Sequence, residues 1–276
     1  MEATVKITAA QVNELRKKTG AGMMDCKKAL VEAAGDFDAA IDLLRKQGQK
    51  VAAKRSDRDA SEGMVLGKVN GNKAVLLNLS CETDFVAKTD DFIGFANGLL
   101  DLAFENNLSS AEALVAATYN GTPVSEAIIE LTGKTGEKIA VSGLEVIEAE
   151  TVVAYNHPGN RVGTIVALNK AGFEELGRDV AMQAAAMAPV ALNKEAVSDE
   201  VIAKEIEIGK ELAIQEGKPE AMAEKIAQGR LGKFFKENTL MEQAFIKDNK
   251  QTVANYLKGA DPELTVTDFK RFSLGS

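Results

Sequence analysis

Apolar residues recur at helical spacing in three short runs over the first 48 positions of the chain. Thr8 and Gln11 form a capping box ahead of the first run, where Val12 and Leu15 make one apolar face. Thr19-Gly20-Ala21-Gly22 stops that helix and turns the chain. A second helix is expected from Met23 to Ala34, with Met23, Leu30 and Ala33 inward and Gly35 as its stop. Asp36 caps the third, which carries Phe37, Ala40, Ile41 and Leu44 and is expected to end at Gly48. Residues 49–63 hold Lys50, Lys54, Arg55 and Arg58 with little apolar content, and read as a solvated tether.

The period then changes. Met64 to Val69 and Lys73 to Ser80 are apolar runs joined by Asn70-Gly71-Asn72, a strong hairpin signal. Thr89 caps a helix whose inner face is Phe92, Phe95, Ala96, Leu99 and Leu102. Shorter helices are expected over Ser110 to Thr118 and Ser125 to Leu131, then a strand from Ile139 to Ile147. About ninety residues after the first hairpin the pattern returns: Val152 to Tyr155 and Val162 to Leu168, then a helix from Phe173 to Ala188 that stops before Pro189. A long charged helix capped by Ser198 runs to Glu216, turns at Gly217-Lys218-Pro219 and returns to Lys236, with Ile202, Ile206 and Ala213 set to face Met222, Ile226 and Gly229. A helix from Thr252 to Lys258 and a strand from Leu264 to Phe272 close the chain.

The reading is α+β. A three-helix N-terminal module (1–48) is succeeded by a linker (49–63) and two related antiparallel-sheet-plus-helix subdomains (64–148 and 149–276). An antiparallel helical hairpin (196–236) is inserted in the second. The arrangement of the three helices resembles ubiquitin-associated domains, which are binding modules. The two halves differ at one junction. The first passes from strand to helix through Thr83-Asp84-Phe85-Val86-Ala87, the second through Asn169-Lys170-Ala171-Gly172. The first therefore sets an acid and a large ring on a connector, where functional residues concentrate. Either the ring tucks under the next helix while Asp84 solvates the turn, or it enters a partner. The tripeptide by itself is weak, since Thr267-Asp268-Phe269 repeats it within an ordinary strand.

Charge narrows the choice of partners. The net charge of −8 disfavours phosphate-backbone binding, which needs clustered Lys and Arg, and disfavours an anionic membrane surface. No apolar run approaches a membrane span, no basic-then-apolar leader is visible, and two cysteines make no disulfide framework. The expectation is a reduced, cytoplasmic protein.

Candidate chemistry is thin. Gly133-Lys134-Thr135 looks like the end of a phosphate loop, but Ile128 stands where the loop needs its first glycine. Gly20-Ala21-Gly22 begins a dinucleotide fingerprint that Asp25 breaks. Glu82, Asp84, Asp90 and Asp91 offer oxygens to a hard cation, against the plainer reading of an acidic helix start that suits the helix dipole. Cys81 with His157, the sole histidine, is a conceivable nucleophile pair with nothing nearby to activate it. No metal site and no cofactor are expected.

Two segments carry a family resemblance. Leu15-Arg16-Lys17-Lys18-Thr19-Gly20-Ala21-Gly22-Met23-Met24-Asp25-Cys26-Lys27-Lys28-Ala29-Leu30 and Cys81-Glu82-Thr83-Asp84-Phe85-Val86-Ala87 resemble the two signatures of the bacterial elongation factor Ts family, and the order of parts agrees along essentially the whole chain. The resemblance implies a guanine-nucleotide exchange factor without catalytic chemistry of its own. Its partner would be elongation factor Tu, GDP-bound and nucleotide-free, with no direct nucleic-acid contact. It implies that the N-terminal module, with Met23 and Met24, docks on the partner's GTP-binding domain. Thr83, Asp84, Phe85 and Val86 would enter near the bound Mg²⁺. Family members often carry a histidine contact in the helix after the second hairpin; here Gln183 takes that place and is expected to supply a hydrogen bond instead. The helical hairpin is a candidate for pairing two copies of the chain. The rival from another class is a scaffold protein that binds without promoting exchange.

Overall fold

A computed structural model describes residues 6–275; the first five positions of the expected N-terminal module, and Ser276, lie outside the described residues. The described residues of Met1–Leu66, Leu77–Leu144 and Ser273–Ser276 form one compact unit, and those of Gly67–Leu76 and Glu145–Phe272 form the other.

The first unit opens with α1 (Ala9–Thr19), α2 (Met23–Glu32) and α3 (Phe37–Arg55). The capping box forms as read: the Gln11 amide donates to Thr8 Oγ1 at 3.3 Å, and the Thr8 amide donates to Gln11 Oε1 at 2.9 Å. Gly20 ends α1 in the left-handed region, at φ 67°. The three helices bury Val12, Leu15, Cys26, Ala29, Leu30 and Ala40 together. The inner face of α2 is Cys26, Ala29 and Leu30. Met23 opens the helix, a turn ahead of Cys26, and is 54% exposed, contrary to its expected inward position.

The expected end at Gly48 is also corrected. The helix continues to Arg55, and Gly48 lies inside it, buried against the helix at 124–135. Helix propensity disfavours glycine by about 1 kcal/mol relative to alanine. Here its lack of a side chain serves a close backbone approach instead. Residues 49–55 of the stretch read as tether are therefore helical, and 62–63 already belong to the first strand. Past the end of α3, Lys138 Nζ fastens the chain by donating to the carbonyls of Ser56 at 2.7 Å and Arg58 at 3.0 Å.

Strands β1 (Glu62–Asn70) and β2 (Lys73–Cys81) form the first hairpin, with Gly71 at φ 60° in its turn. A four-residue helix α4 (Asp84–Ala87) leads to α5 (Asp90–Glu105), which buries Phe92, Phe95, Ala96, Leu99 and Leu102 as its spacing predicts. Then come α6 (Ala111–Ala116), the two-residue strands β3 (Thr118–Tyr119) and β4 (Thr122–Pro123), α7 (Val124–Thr135) and β5 (Ala140–Glu148). Sheet order is β1-β2-β5. The tip of the first hairpin belongs to the second unit, where the Asn156 side chain brackets Gly67: its Oδ1 accepts from the Gly67 amide at 2.6 Å, and its Nδ2 donates to the Gly67 carbonyl at 3.0 Å.

In the second unit, β6 (Thr151–Asn156) pairs antiparallel with β7 (Val162–Leu168), placing Val153 opposite Val166 and Tyr155 opposite Thr164. Helix α8 (Glu174–Met187) packs on both strands. Helices α9 (Asp199–Gln215) and α10 (Glu220–Asn238) form the hairpin. Its seam buries Gly209, Ala213, Ala223 and Ala227, small residues that let the helices approach closely, together with Leu231; Met222, expected at the seam, is exposed. The short strands β8 (Ala244–Phe245) and β9 (Asp248–Thr252) precede α11 (Val253–Ala260) and β10 (Val266–Ser273). Sheet order is β10-β7-β6, so in each half the hairpin's second strand is central and a later strand returns beside it. The core here joins Val166, Leu168, Val180, Ala184, Leu240, Leu257 and Val266. Among the described residues, no helix is long and apolar enough to cross a membrane.

Candidate functional site

Helix α4 is one turn long, too short to hold its shape by propagation alone. Its neighbours fix it. Thr83 is the N-cap, and its Oγ1 accepts from the Val86 amide at 3.4 Å. The same hydroxyl donates to Glu137 Oε1 at 2.6 Å while the Thr83 amide donates to Glu137 Oε2 at 3.0 Å. Val86 and Ala87 are buried, and Thr89 Oγ1 donates back to the Val86 carbonyl at 2.8 Å. With the helix held on its inner side, Phe85 projects outward and is 81% exposed. Of the two readings of the ring, the one that tucks it under the next helix is overturned; the buried side chain here is Val86. Burying the β-branched neighbour leaves the ring in water, the reverse of what residue type predicts.

Three of the four candidate acids around this helix are paired with cations of the chain. Asp84 pairs with Lys88 at 2.5 Å, Glu82 with Arg55 at 2.7 Å, and Asp91 with Lys134. Among the described residues no group of three or more His, Cys, Asp or Glu is poised to hold a metal ion. The Gly-Lys-Thr of 133–135 closes α7: Lys134 is spent on Asp91, and Thr135 Oγ1 donates to the Leu131 carbonyl at 2.9 Å. Cys81 is buried, with its thiol donating to the Thr83 carbonyl at 3.1 Å. Burial above all, then the negative charges of Glu137 and Glu62, push that thiol up to about 12, so it stays protonated where a nucleophile must be thiolate. His157 Nδ1 lies 3.1 Å from the Tyr155 hydroxyl.

The two sequence segments meet in space. Arg16, Gly20, Ala21, Gly22 and Met23 of the first, and Val86 with Thr89 at the second, line one groove of about 380 Å³ together with Thr135. Met24 is 62% exposed beside Met23. Helical periodicity assigned Met23 to the core, which hid its membership of this surface.

Gln183, expected to offer the partner a hydrogen bond, stands elsewhere, in the second unit, with its amide committed within the chain. It is fully buried. Its Nε2 donates to Gln243 Oε1 and to the Ala244 carbonyl, both at 3.1 Å, and its Oε1 accepts from the Ile246 amide at 2.8 Å. Every polar atom of the amide group is turned inward to hold residues 243–246. Glu137, which grips Thr83, was invisible in the sequence: a glutamate after a helix-stopping glycine gives no sign of a partner 54 residues earlier.

The arrangement is a protruding ring on a fixed mount beside a groove. A family model described as Elongation factor TS matches residues 82–276. The chain is 57% identical over 274 residues to the elongation factor Ts of Christiangramia forsetii, with 98% of this chain and 99% of that one covered. It is 52% identical to those of Flavobacterium psychrophilum over 273 residues and Amoebophilus asiaticus over 275, with the same coverage. The chain belongs to the elongation factor Ts family.

Proposed function

We propose that the chain promotes guanine-nucleotide exchange on elongation factor Tu, the role its family implies, and that Phe85 is the wedge. The observation that carries this reading is the 81% exposure of Phe85 on a helix whose other contacts are fixed. An exposed apolar ring gains free energy on leaving water, and a rigid mount lets that gain act on the partner rather than on the loop's own ordering.

GDP in a GTPase is held by backbone amides around its phosphates and by Mg²⁺ bridging them. Mg²⁺ demands near-octahedral oxygen ligation, so displacing one ligand weakens it sharply. In this reading Phe85 buries its ring in the partner near that ion, and Asp84, released from Lys88, redirects polar groups around it. Thr83 and Val86 hold the helix. Met23 and Met24 give the N-terminal module an apolar docking face on the GTP-binding domain. Factor and nucleotide then weaken each other equally at equilibrium, so the nucleotide-free partner is bound best. The factor itself makes and breaks no covalent bond.

Magnitude divides the labour. Burying one Phe contributes about 1.5–3 kcal/mol, and each tenfold in rate needs about 1.36 kcal/mol. Phe85 therefore supplies about tenfold to hundredfold, and a larger acceleration draws on the rest of the interface. The arm's exposed Ile208, Leu212 and Met222 would serve a second contact, with another copy of the chain the occupant that sedimentation velocity tests.

The deciding experiment is release of a fluorescent GDP analogue from elongation factor Tu at fixed Mg²⁺, with wild type and Phe85→Ala side by side. Fast release blunted by the substitution is expected. Fast release that the substitution leaves unchanged moves the wedge elsewhere. No acceleration by wild type, with the partner proven active, leaves the scaffold reading.

A further inference from the structure

Residues 82–83 and 137–138 exchange side chains for backbone in both directions. The Glu137 carboxylate takes the Thr83 amide and hydroxyl, at 3.0 and 2.6 Å. In return Glu82 Oε1 accepts from the Lys138 amide at 2.8 Å, and Glu82 Oε2 accepts from Arg55 Nη1 at 2.7 Å. Arg55 is the last residue of α3, the helix that belongs to the N-terminal module. One clasp thus joins the end of that module, the segment between α7 and β5, and the two residues just ahead of α4, which carries Phe85.

The chemistry of the Thr83 hydroxyl gives Glu137 a particular task. To cap α4, Thr83 Oγ1 must present a lone pair to the Val86 amide, so its proton has to point elsewhere. The Glu137 carboxylate is an acceptor placed to take that proton, and being charged it makes the stronger kind of hydrogen bond. It therefore fixes which way the cap faces, and through the cap the direction of the single turn carrying Phe85.

We propose that Glu137 is a positioning residue for the Phe85 wedge, acting through Thr83, with the Arg55–Glu82 pair tying the same clasp to the N-terminal module. The proposal rests on Phe85 acting as the wedge in nucleotide exchange. Docking of the module would then set the aim of the ring, not only the affinity.

The test is a double-mutant cycle on GDP-analogue release by the full-length chain. The isosteric Glu137→Gln keeps the volume and removes one acceptor; Thr83→Val is the second variant, removing the hydroxyl while keeping its shape. Each is expected to slow release about tenfold, with little change in binding to nucleotide-free elongation factor Tu. In a Phe85→Ala background, Glu137→Gln is expected to change release by less than about twofold, because the residue it positions has gone. Wild-type release by Glu137→Gln, with Phe85→Ala slow, overturns the clasp alone. So does an undiminished effect of Glu137→Gln in the Phe85→Ala background, or an equal loss of binding and release. Wild-type release by Phe85→Ala overturns the wedge reading and the clasp with it.

Discussion

Gly48 of α3 and Gly133 of α7 meet backbone to backbone: a Cβ placed on Gly133 would lie 2.8 Å from the Gly48 Cα. No flexible side chain can yield at that contact, so the helices themselves would have to part. Gly133→Ala gains up to about 1 kcal/mol in helix propensity, while forced overpacking costs about 1–3 kcal/mol. The sum is a net loss, expected as a lowered thermal midpoint. Gly232 on α10 is the control, since nothing lies within 4 Å of its built Cβ. Gly232→Ala is expected to raise the midpoint, by the same propensity acting unopposed. Equal responses from the two variants would show that the close approach carries no energetic weight.

Phe85 and Val86 are chain neighbours with opposite fates, 81% and 9% exposed. Phe85→Ala is expected to leave stability within about 0.5 kcal/mol of wild type, as for most surface changes. Val86→Ala, which opens space beneath α4, is expected to cost about 1–2 kcal/mol. Urea unfolding of the two variants separates them. A large loss from Phe85→Ala would mean the ring spends much of its time packed on its own chain.

This pair also marks how far the sequence could be read. Caps and turns were legible because their chemistry is local: Thr8 with Gln11, Asp36, Thr89 and Ser198 as N-caps, and Asn70-Gly71-Asn72 as the first hairpin turn. The repeated hairpin-then-helix order was legible because strand and helix periods differ. What failed was whatever depended on a distant neighbour. Gly48 looks like a helix stop until Gly133 is known to lie against it. Met23 fits the apolar spacing of α2, yet its side chain stands 54% exposed while Cys26, a turn later, is buried. At the candidate site, Asp84 and Phe85 were legible as a connector that the second half lacks. The direction of the ring was not, because it depends on Glu137, 52 positions beyond it in the chain. The strands β8 and β9 went unread because Asp248-Asn249-Lys250 carries no apolar alternation.

Gln183 joins Gln243 and the backbone of Ala244 and Ile246 in one buried network, which Gln243 extends through its Nε2 to the carbonyls of Met187 at 3.4 Å and Glu237 at 3.0 Å. Gln183→Ala removes three hydrogen bonds and leaves the Gln243 amide oxygen, itself buried, without its donor. Abandoning a buried polar group costs about 1–3 kcal/mol, so a loss of at least about 2 kcal/mol is expected in urea unfolding. Gln183→Glu keeps the shape but sets a carboxylate oxygen against both Gln243 Oε1 and the Ala244 carbonyl. It should be at least as unstable at neutral pH. If Gln183→Ala instead retains full stability while losing affinity for elongation factor Tu, the side chain reaches the partner after all.

Cys81 gives a pH dependence with a definite sign. Its folded pKa is about 12, above the value of about 8.5 for an exposed thiol, chiefly because burial opposes the thiolate. The folded chain therefore holds this proton more tightly than the unfolded chain. Its contribution to stability is complete below about pH 8.5 and is lost as pH rises toward 12. In a Cys26→Ala background, which leaves one thiol, wild-type Cys81 is expected to lose unfolding free energy more steeply between pH 9 and 11 (roughly that window) than Cys81→Ala does. At pH near 8 the native thiol should react far more slowly with a disulfide reagent than the urea-unfolded one. Rapid native labelling would place the thiol at the surface with an ordinary pKa, and loss of GDP release upon labelling would bring the thiol back as a participant. A slope in stability shared equally by the Cys81→Ala variant would assign the alkaline loss to other groups.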